Sequence, residues 1–160
     1  MSSYLRLARL YFLLLGIFAV GRWLQGSLGV PYVKAHHVFS IVILTLFASV
    51  FYGAFCRRWL GYRVAQAILL GGILGLAAQI VIFVATLLSY ALGLDTYFNH
   101  SVALNVTVLG EPPVSVPVAK ALGTRAGGLI MGTFSTVIAG GLGWAMGGLL
   151  PRPDPAKQQT

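Results

Sequence analysis

The sequence is poor in charged residues, and above all in acidic ones. Only three of its 160 residues are aspartate or glutamate, against eleven lysines and arginines, while 58% are hydrophobic. A soluble domain does not have this composition. The basic residues lie mostly in short segments beside hydrophobic runs, which is typical of membrane topology signals and not of a nucleic-acid-binding surface. We therefore expect an integral membrane protein with no nucleic-acid partner.

Cysteine occurs once, as Cys56, and this excludes an intramolecular disulfide, a Cys-x-x-Cys redox centre and an all-cysteine metal site. Carboxylates are absent from every long hydrophobic run. Because ion-coupled transporters and proton pumps usually keep an ionisable group within the membrane, this absence disfavours both classes. The sequence contains no motif for a reaction or a cofactor, so we expect a non-catalytic protein without a cofactor.

Four hydrophobic segments predict transmembrane helices. The hydrocarbon core of a bilayer, about 30 Å thick, requires about twenty apolar residues in a helix. The third segment has no charged residue and exceeds that length, so we expect its end at 90–94 to project from the core. Together the segments predict one transmembrane domain over residues 1–151. The predicted helices cover residues 7–28, 38–56, 64–94 and 126–150.

The first segment also resembles the start of a secretory signal peptide. Arg6 and Arg9 precede an apolar run, and Ala19-Val20-Gly21 imitates a cleavage site. Cleavage there would leave the remaining topology unchanged. We expect an uncleaved helix, with Arg22 and Trp23 reaching the far interface.

Arginines predict the orientation of the chain in the membrane. Arg57, Arg58 and Arg63 cluster in the short connection between the second and third segments, and the positive-inside rule places this connection in the cytoplasm. The N-terminus lies on the same side, two crossings away. We expect both termini in the cytoplasm of a bacterial inner membrane or its equivalent, with residues 152–160 as a disordered tail.

Small residues predict where the helices pack. On a helical wheel, one side of the third segment carries Gly71, Gly75 and Gln79 and is expected to face protein. The opposite side carries Leu70, Leu74 and Ile80 and is expected to face lipid. The fourth segment has a stripe of small residues over five turns, which predicts close approach of another helix. Its glycines are Gly128, Gly132, Gly140, Gly143 and Gly147.

The loop at residues 95–121 is predicted to contain an extracytoplasmic β-hairpin at 102–118. Apolar and polar residues alternate on both sides of the turn sequence Gly110-Glu111-Pro112-Pro113. A two-stranded hairpin is marginally stable alone, so it would lie on the third helix or on another subunit. The alternative is an extended loop. The predicted fold is thus an all-α membrane protein with four transmembrane helices and one small hairpin between helices 3 and 4.

Three histidines fall on the extracytoplasmic side of this topology: His36, His37 and His100. Imidazoles bind zinc or copper, so these residues are a candidate metal site. Against this, adjacent histidines on a helix diverge by about 100°. The alternative is that they cap a helix or face lipid headgroups.

Three hypotheses for the function follow. The first is a small non-catalytic subunit or assembly factor of a larger membrane complex, because three helices and the hairpin offer more packing surface than one small bundle needs. The second is a homo-oligomeric channel or uncoupled carrier lined by Gln79, Thr86 and Ser89. The third is an extracytoplasmic metal-binding protein. The expected partners are the lipid bilayer and either other subunits or further copies of this chain.

Overall fold

The computed structural model describes residues 2–149, and this part of the chain is helical with connecting turns. Among the described residues, four helices are long and apolar enough to cross a membrane, namely Arg9–Ser27, Ile41–Trp59, Val64–Ala91 and Val118–Gly147. This architecture is compatible with a multi-pass integral membrane protein, and it confirms the predicted all-helical bundle. The predicted tail and the predicted helix end at residue 150 lie outside the described residues. The helices are α1 Ser2–Leu7, α2 Arg9–Ser27, α3 Tyr32–Ala35, α4 Ile41–Trp59, α5 Val64–Ala91 and α6 Val118–Gly147.

The first two crossing helices differ slightly from their predicted bounds. The predicted helix 7–28 is interrupted at Ala8, which separates α1 from α2. The predicted helix 38–56 begins only after Ser40, whose hydroxyl accepts a hydrogen bond from the backbone N–H of Ile43 at 3.5 Å. This is an N-cap, which satisfies one of the free N–H groups in the first turn.

The third crossing helix starts at Val64 as predicted and ends at Ala91, three residues early. Gly93 has a φ of 64°, which is the left-handed region that glycine enters without strain. Its geometry lets the N–H of Leu94 bond to the carbonyl of Ser89 at 2.9 Å. This is a Schellman motif, and it ends the helix before the predicted end at residue 94.

The fourth crossing helix begins eight residues earlier than predicted, at Val118 instead of residue 126. It follows directly on Pro117, whose ring fixes φ and which lacks an N–H that a helix start would leave unpaired. Lys120 and Arg125 therefore belong to the helix and not to the loop. The earlier helix start therefore makes Arg125 part of α6, which contributes to the candidate site.

The predicted β-hairpin is wrong, because residues 102–118 contain no strand. The N–H of Leu104 bonds to the carbonyl of His100 at 3.1 Å, and the N–H of Val106 bonds to that of Ser101 at 2.9 Å. These turn bonds use the donors that a strand ladder would need. Asn105, with a φ of 56°, also breaks the extended conformation in the middle of the expected strand.

Helices α4, α5 and α6 form a closely packed unit, and α2 lies beside it against α4 and α5. The close approach depends on glycine. The backbone of Val50 on α4 lies against Gly143 of α6, and a Cβ atom on Gly71 of α5 would lie 2.5 Å from the carbonyl oxygen of Thr136. In contrast, α2 makes its contacts with a large side chain, since the hydroxyl of Tyr11 hydrogen-bonds α4 and α5.

The prediction that Leu70 and Leu74 face lipid is wrong, because α5 is covered on that side too. These two side chains are 1% and 0% exposed, whereas Ile80, on the same predicted face, is 48% exposed. We call the end of the bundle with residues 57–63 the basic end, and the end with residues 28–40 and 92–117 the loop end. The buried core lies around α5, which runs between these two ends.

Candidate functional site

A cavity of about 290 Å³ lies at the loop end, where the helices meet the connecting segments. We call it the loop-end cavity. All four crossing helices contribute to its wall, together with residues from 98–105. Its apolar lining comes from Ile41, Val42, Ile82, Phe98, Val102 and Ala103, and its polar lining from Arg22, Tyr32, His36, His37, Ser40, Asn105 and Arg125.

Arg22 enters this cavity from the last third of α2. Its Nη1 donates to the carbonyl of His36 at 3.0 Å, and its Nη2 donates to the hydroxyl of Tyr32 at 3.2 Å. The guanidinium also lies 5.8 Å and 5.6 Å from the ring centroids of Tyr32 and Tyr97. These distances are within the range of cation–π attraction. The contacts hold the positive charge in one place between α2 and α3.

Arg125 enters the cavity from α6. Its Nε donates to Oγ1 of Thr86 at 3.1 Å, and its Nη2 donates to the carbonyl of Phe98 at 2.6 Å. Thr86 is fully buried on α5 and donates in turn to the carbonyl of Ile82. The side chain of Arg125 therefore ties α6 to α5 and to the loop, and it brings a second positive charge to the same cavity.

The three histidines are grouped around Tyr32 and not around a common point. His36 and His100 stack on Tyr32, with ring centroids 5.7 Å and 4.2 Å away, and His37 lies beside His36 at 3.7 Å. In residues 2–149, no three histidine, cysteine, aspartate or glutamate side chains are placed to hold a metal ion. The metal site at His36, His37 and His100 stays a prediction that this geometry does not favour.

Burial and charge set the protonation of the neighbouring groups outside the helices. Burial, followed by the positive charge of Arg22, lowers the pKa of His100 below its ordinary value of 6.5. Burial raises the pKa of Tyr97, whose hydroxyl donates to the carbonyl of Val30 at 2.8 Å. Both groups are accordingly neutral near pH 7, so neither of them adds charge beside Arg22.

The three polar side chains of the channel hypothesis contact different partners. Gln79 lies against two glycines of α6, Gly128 and Gly132. Thr86 accepts from Arg125, while Oγ of Ser89 accepts from the indole of Trp23 at 3.1 Å and hydrogen-bonds Thr96. None of the three lines the loop-end cavity. A common polar path along α5 stays a prediction that these contacts do not favour.

The remaining predicted packing residues all lie where two helices meet. These glycines lie in the interface between α5 and α6 or in the interface between α4 and α6. Gly75 lies against Thr136, Gly140 against the carbonyl of Ala67, and Gly147 against the backbone of Ala54.

Sequence reasoning missed the convergence of Arg22 and Arg125. It placed Arg22 at an interface and did not include Arg125 in the predicted helix 126–150. One signal for Arg125 is present in the sequence: it precedes Gly128 by three residues and Gly132 by seven, which puts it on the inward face of the same helix. Nothing in the sequence pairs it with Arg22.

Comparison of the chain with protein-family models, with curated proteins and with solved structures finds no match.

Proposed function

We propose that this chain is a small non-catalytic membrane protein that works as a subunit or assembly factor of a larger membrane complex. The observation that supports this most directly is the outer side of α6 near the loop end. A Cβ atom placed on Gly123 or Gly127 would have no neighbour within 4 Å among the described residues. Inward-facing glycines of the same helix, such as Gly143, instead meet the backbone of α4.

The outer side of α6 continues with the same four-residue spacing to Met131 and Ser135. Both side chains are exposed, Met131 by 67%. We call Gly123, Gly127, Met131 and Ser135 the outer α6 face. Lipid does not require glycine, which costs a helix about 1 kcal/mol relative to alanine. A second helix does benefit from it, because small residues allow close backbone contact and methionine adapts to irregular surfaces.

The rest of the described chain covers little of α2, which leaves its surface open to a partner. Only 11% of its membrane-spanning window is buried within the chain, against 39% for α5. Its outer side exposes large apolar residues, including Leu13 at 60% and Val20 at 57%. These side chains suit lipid or another apolar helix, so α2 adds area to whatever partner contacts the bundle.

We further propose that the basic end lies in the cytoplasm and the loop end outside it. Arg57, Arg58 and Arg63 cluster at the basic end, and short connections rich in arginine stay on the cytoplasmic side. With four crossings, both termini then lie in the cytoplasm.

The test compares two substitutions of similar size at neighbouring positions of α6. Gly127→Leu places a large side chain on the outer α6 face, and Ala126→Leu places one about 100° around the helix. Each protein is extracted from its own host membrane in mild detergent and crosslinked. We expect wild type and Ala126→Leu to recover a partner chain, and Gly127→Leu to lose it by about tenfold, as for a blocked interface core.

A Cβ atom at Gly127 would meet no atom of the described chain within 4 Å, and Ala126 is exposed, so the bundle itself should keep its thermal stability in both variants. A wild-type protein that runs as a bare monomer with no crosslinked partner would contradict the proposal. So would full recovery of the partner by Gly127→Leu. Recovery of only this chain at twice its mass would identify the partner as a second copy.

A further inference from the structure

Two guanidinium groups line the loop-end cavity, and its lining contains no carboxylate. Asp95 and Glu111 line a neighbouring cavity instead. Within residues 2–149, Arg22 and Arg125 donate only to neutral oxygens. Like charges that are partly removed from water repel each other unless an anion compensates them. The lining of this cavity does not supply that anion.

Both guanidinium groups are fixed in place yet retain donors. Each has five N–H bonds, and contacts within the described chain use two of them. The remaining N–H bonds of Arg22 and Arg125 make no hydrogen bond within the described chain, and both residues line the cavity. Planar guanidinium donors bind the oxygens of phosphate or carboxylate in pairs, and pre-positioned groups lose little side-chain entropy on binding.

The start of α4 adds to the positive potential. Ser40, Ile41 and Val42 line the cavity, and they are the N-cap and first residues of a 19-residue helix. The backbone N–H groups at a helix N-terminus carry partial positive charge and favour anions. This contribution has the same sign as the two arginines, so three elements of the fold point to one type of ligand.

The size of the cavity limits that ligand. At about 290 Å³ it lies near the lower end of the roughly 300 to 1,000 Å³ typical of ligand pockets. Apolar side chains of Ile82, Phe98 and Val102 complete the wall beside the charged groups. A small oxyanion fits this description, and so does the phosphate of a lipid whose glycerol and acyl parts contact the apolar wall.

We infer that the loop-end cavity binds an anionic phosphate or carboxylate group between Arg22 and Arg125. The group belongs either to a lipid headgroup or to a free oxyanion. This site is separate from the outer α6 face, so the inference does not depend on the proposed subunit role.

The test uses the purified full-length chain and glutamine variants of each arginine. Sodium phosphate is titrated against sodium chloride at constant ionic strength while thermal unfolding is followed. In parallel, nanodiscs with equal amounts of phosphatidylglycerol and phosphatidylcholine are delipidated, and retained lipid is measured by native mass spectrometry. Arg9→Gln is the matched control, because Arg9 is exposed at the opposite end of the same helix as Arg22.

We expect wild type and Arg9→Gln to bind phosphate or to retain phosphatidylglycerol over phosphatidylcholine. Arg22→Gln and Arg125→Gln should each weaken that binding about tenfold or more, as for loss of a charged hydrogen bond. A response to inorganic phosphate alone identifies a free oxyanion, and selective lipid retention alone identifies a headgroup. Wild type that binds neither, or variants that bind as wild type does, would overturn the inference.

A lysine variant keeps the test decisive if Arg125→Gln fails to fold. Arg125→Lys keeps the charge but loses the paired donors, so we expect its affinity to fall between those of wild type and Arg22→Gln. A folded Arg125→Lys protein with wild-type affinity would contradict the paired geometry. Since none of these substitutions lies on the outer α6 face, loss of anion binding and loss of a partner chain can be told apart.

Discussion

The two ends of the bundle treat their arginines differently. At the basic end, Arg57 lies 3.9 Å from the ring centroid of Trp144 and donates to the carbonyls of Trp144 and Ala145 at 3.1 Å and 3.3 Å. These carbonyls belong to the last turn of α6, where the helix dipole favours a cation. At the loop end, Arg22 and Arg125 share a cavity whose lining has no negative group. The C-terminal end of the α6 dipole matches the charge of Arg57, whereas Arg22 and Arg125 line one cavity.

Helix packing follows the same division. Towards the basic end, α4 and α6 touch through their backbones, with Gly143 against Val50 and Gly147 against Ala54. Towards the loop end, residues from the start of α4 and Arg125 of α6 stand on the wall of a cavity. The backbone contacts between α4 and α6 thus lie towards the basic end, whereas at the loop end the same two helices line a cavity.

The largest effect is expected from a single methyl group on α6. A Cβ atom at Gly143 would meet the backbone of Val50, which cannot move aside as a flexible side chain can. We expect Gly143→Ala to reduce the free energy of unfolding by about 1–3 kcal/mol or more. At Gly127 the same change meets nothing and should be neutral or stabilising by up to about 1 kcal/mol.

Thermal or denaturant unfolding in one detergent measures both variants. Equal stability of Gly143→Ala and Gly127→Ala would mean that α6 is no more closely packed at Gly143 than at Gly127.

A smaller effect is expected from Arg57→Gln. The substitution removes a cation from the C-terminal carbonyls of α6 and from the face of Trp144, and we expect a loss of about 1–2 kcal/mol in unfolding free energy. Arg9→Gln makes the same change in charge at an exposed position and should cost less than about 0.5 kcal/mol. If the two variants unfold alike, the charge at the basic end is not matched as described.

The helices could be predicted from sequence because long uncharged runs have few alternatives in a bilayer. The start of α5 at Val64 follows directly from Arg63, whereas its end at Ala91 lies three residues before the predicted one because of the Schellman glycine, Gly93. The start of α6 was predicted eight residues late, at residue 126, which left Lys120 and Arg125 outside the predicted helix. Pro117 was the better signal, since proline is compatible with a helix start.

The candidate site could not be predicted because it depends on packing. Arg22 and Arg125 lie far apart in sequence, and they line the same cavity because α2, α5 and α6 come together at the loop end. The hairpin prediction was wrong for a local reason. The alternating apolar residues instead form turns in which Leu104 and Val116 are buried in one small core. A helical wheel likewise cannot show that α5 is covered on two sides, which is why Leu70 and Leu74 were misassigned.

The smallest effect is expected from pH, and it should arise at the loop end, where all three histidines lie. Burial, followed by the charge of Arg22, holds the pKa of His100 below 6.5, so the folded chain binds a proton there less readily than the unfolded chain. His100 also accepts a hydrogen bond from the N–H of Val102 through Nδ1, which requires an unprotonated nitrogen. Stability from this group is therefore complete above pH 6.5 and is lost as the pH falls through the lowered pKa.

Unfolding temperatures at pH 7.5 and pH 5.5 measure this loss. We expect His100→Gln to show a smaller decrease between the two pH values than wild type. His37→Gln, which replaces an exposed histidine, should follow wild type more closely. A His100→Gln protein with an unchanged decrease would place the acid sensitivity elsewhere. His100 lines the neighbouring cavity, but its proton would repel the charge of Arg22. An anion bound to Arg22 should therefore reduce the decrease in wild type.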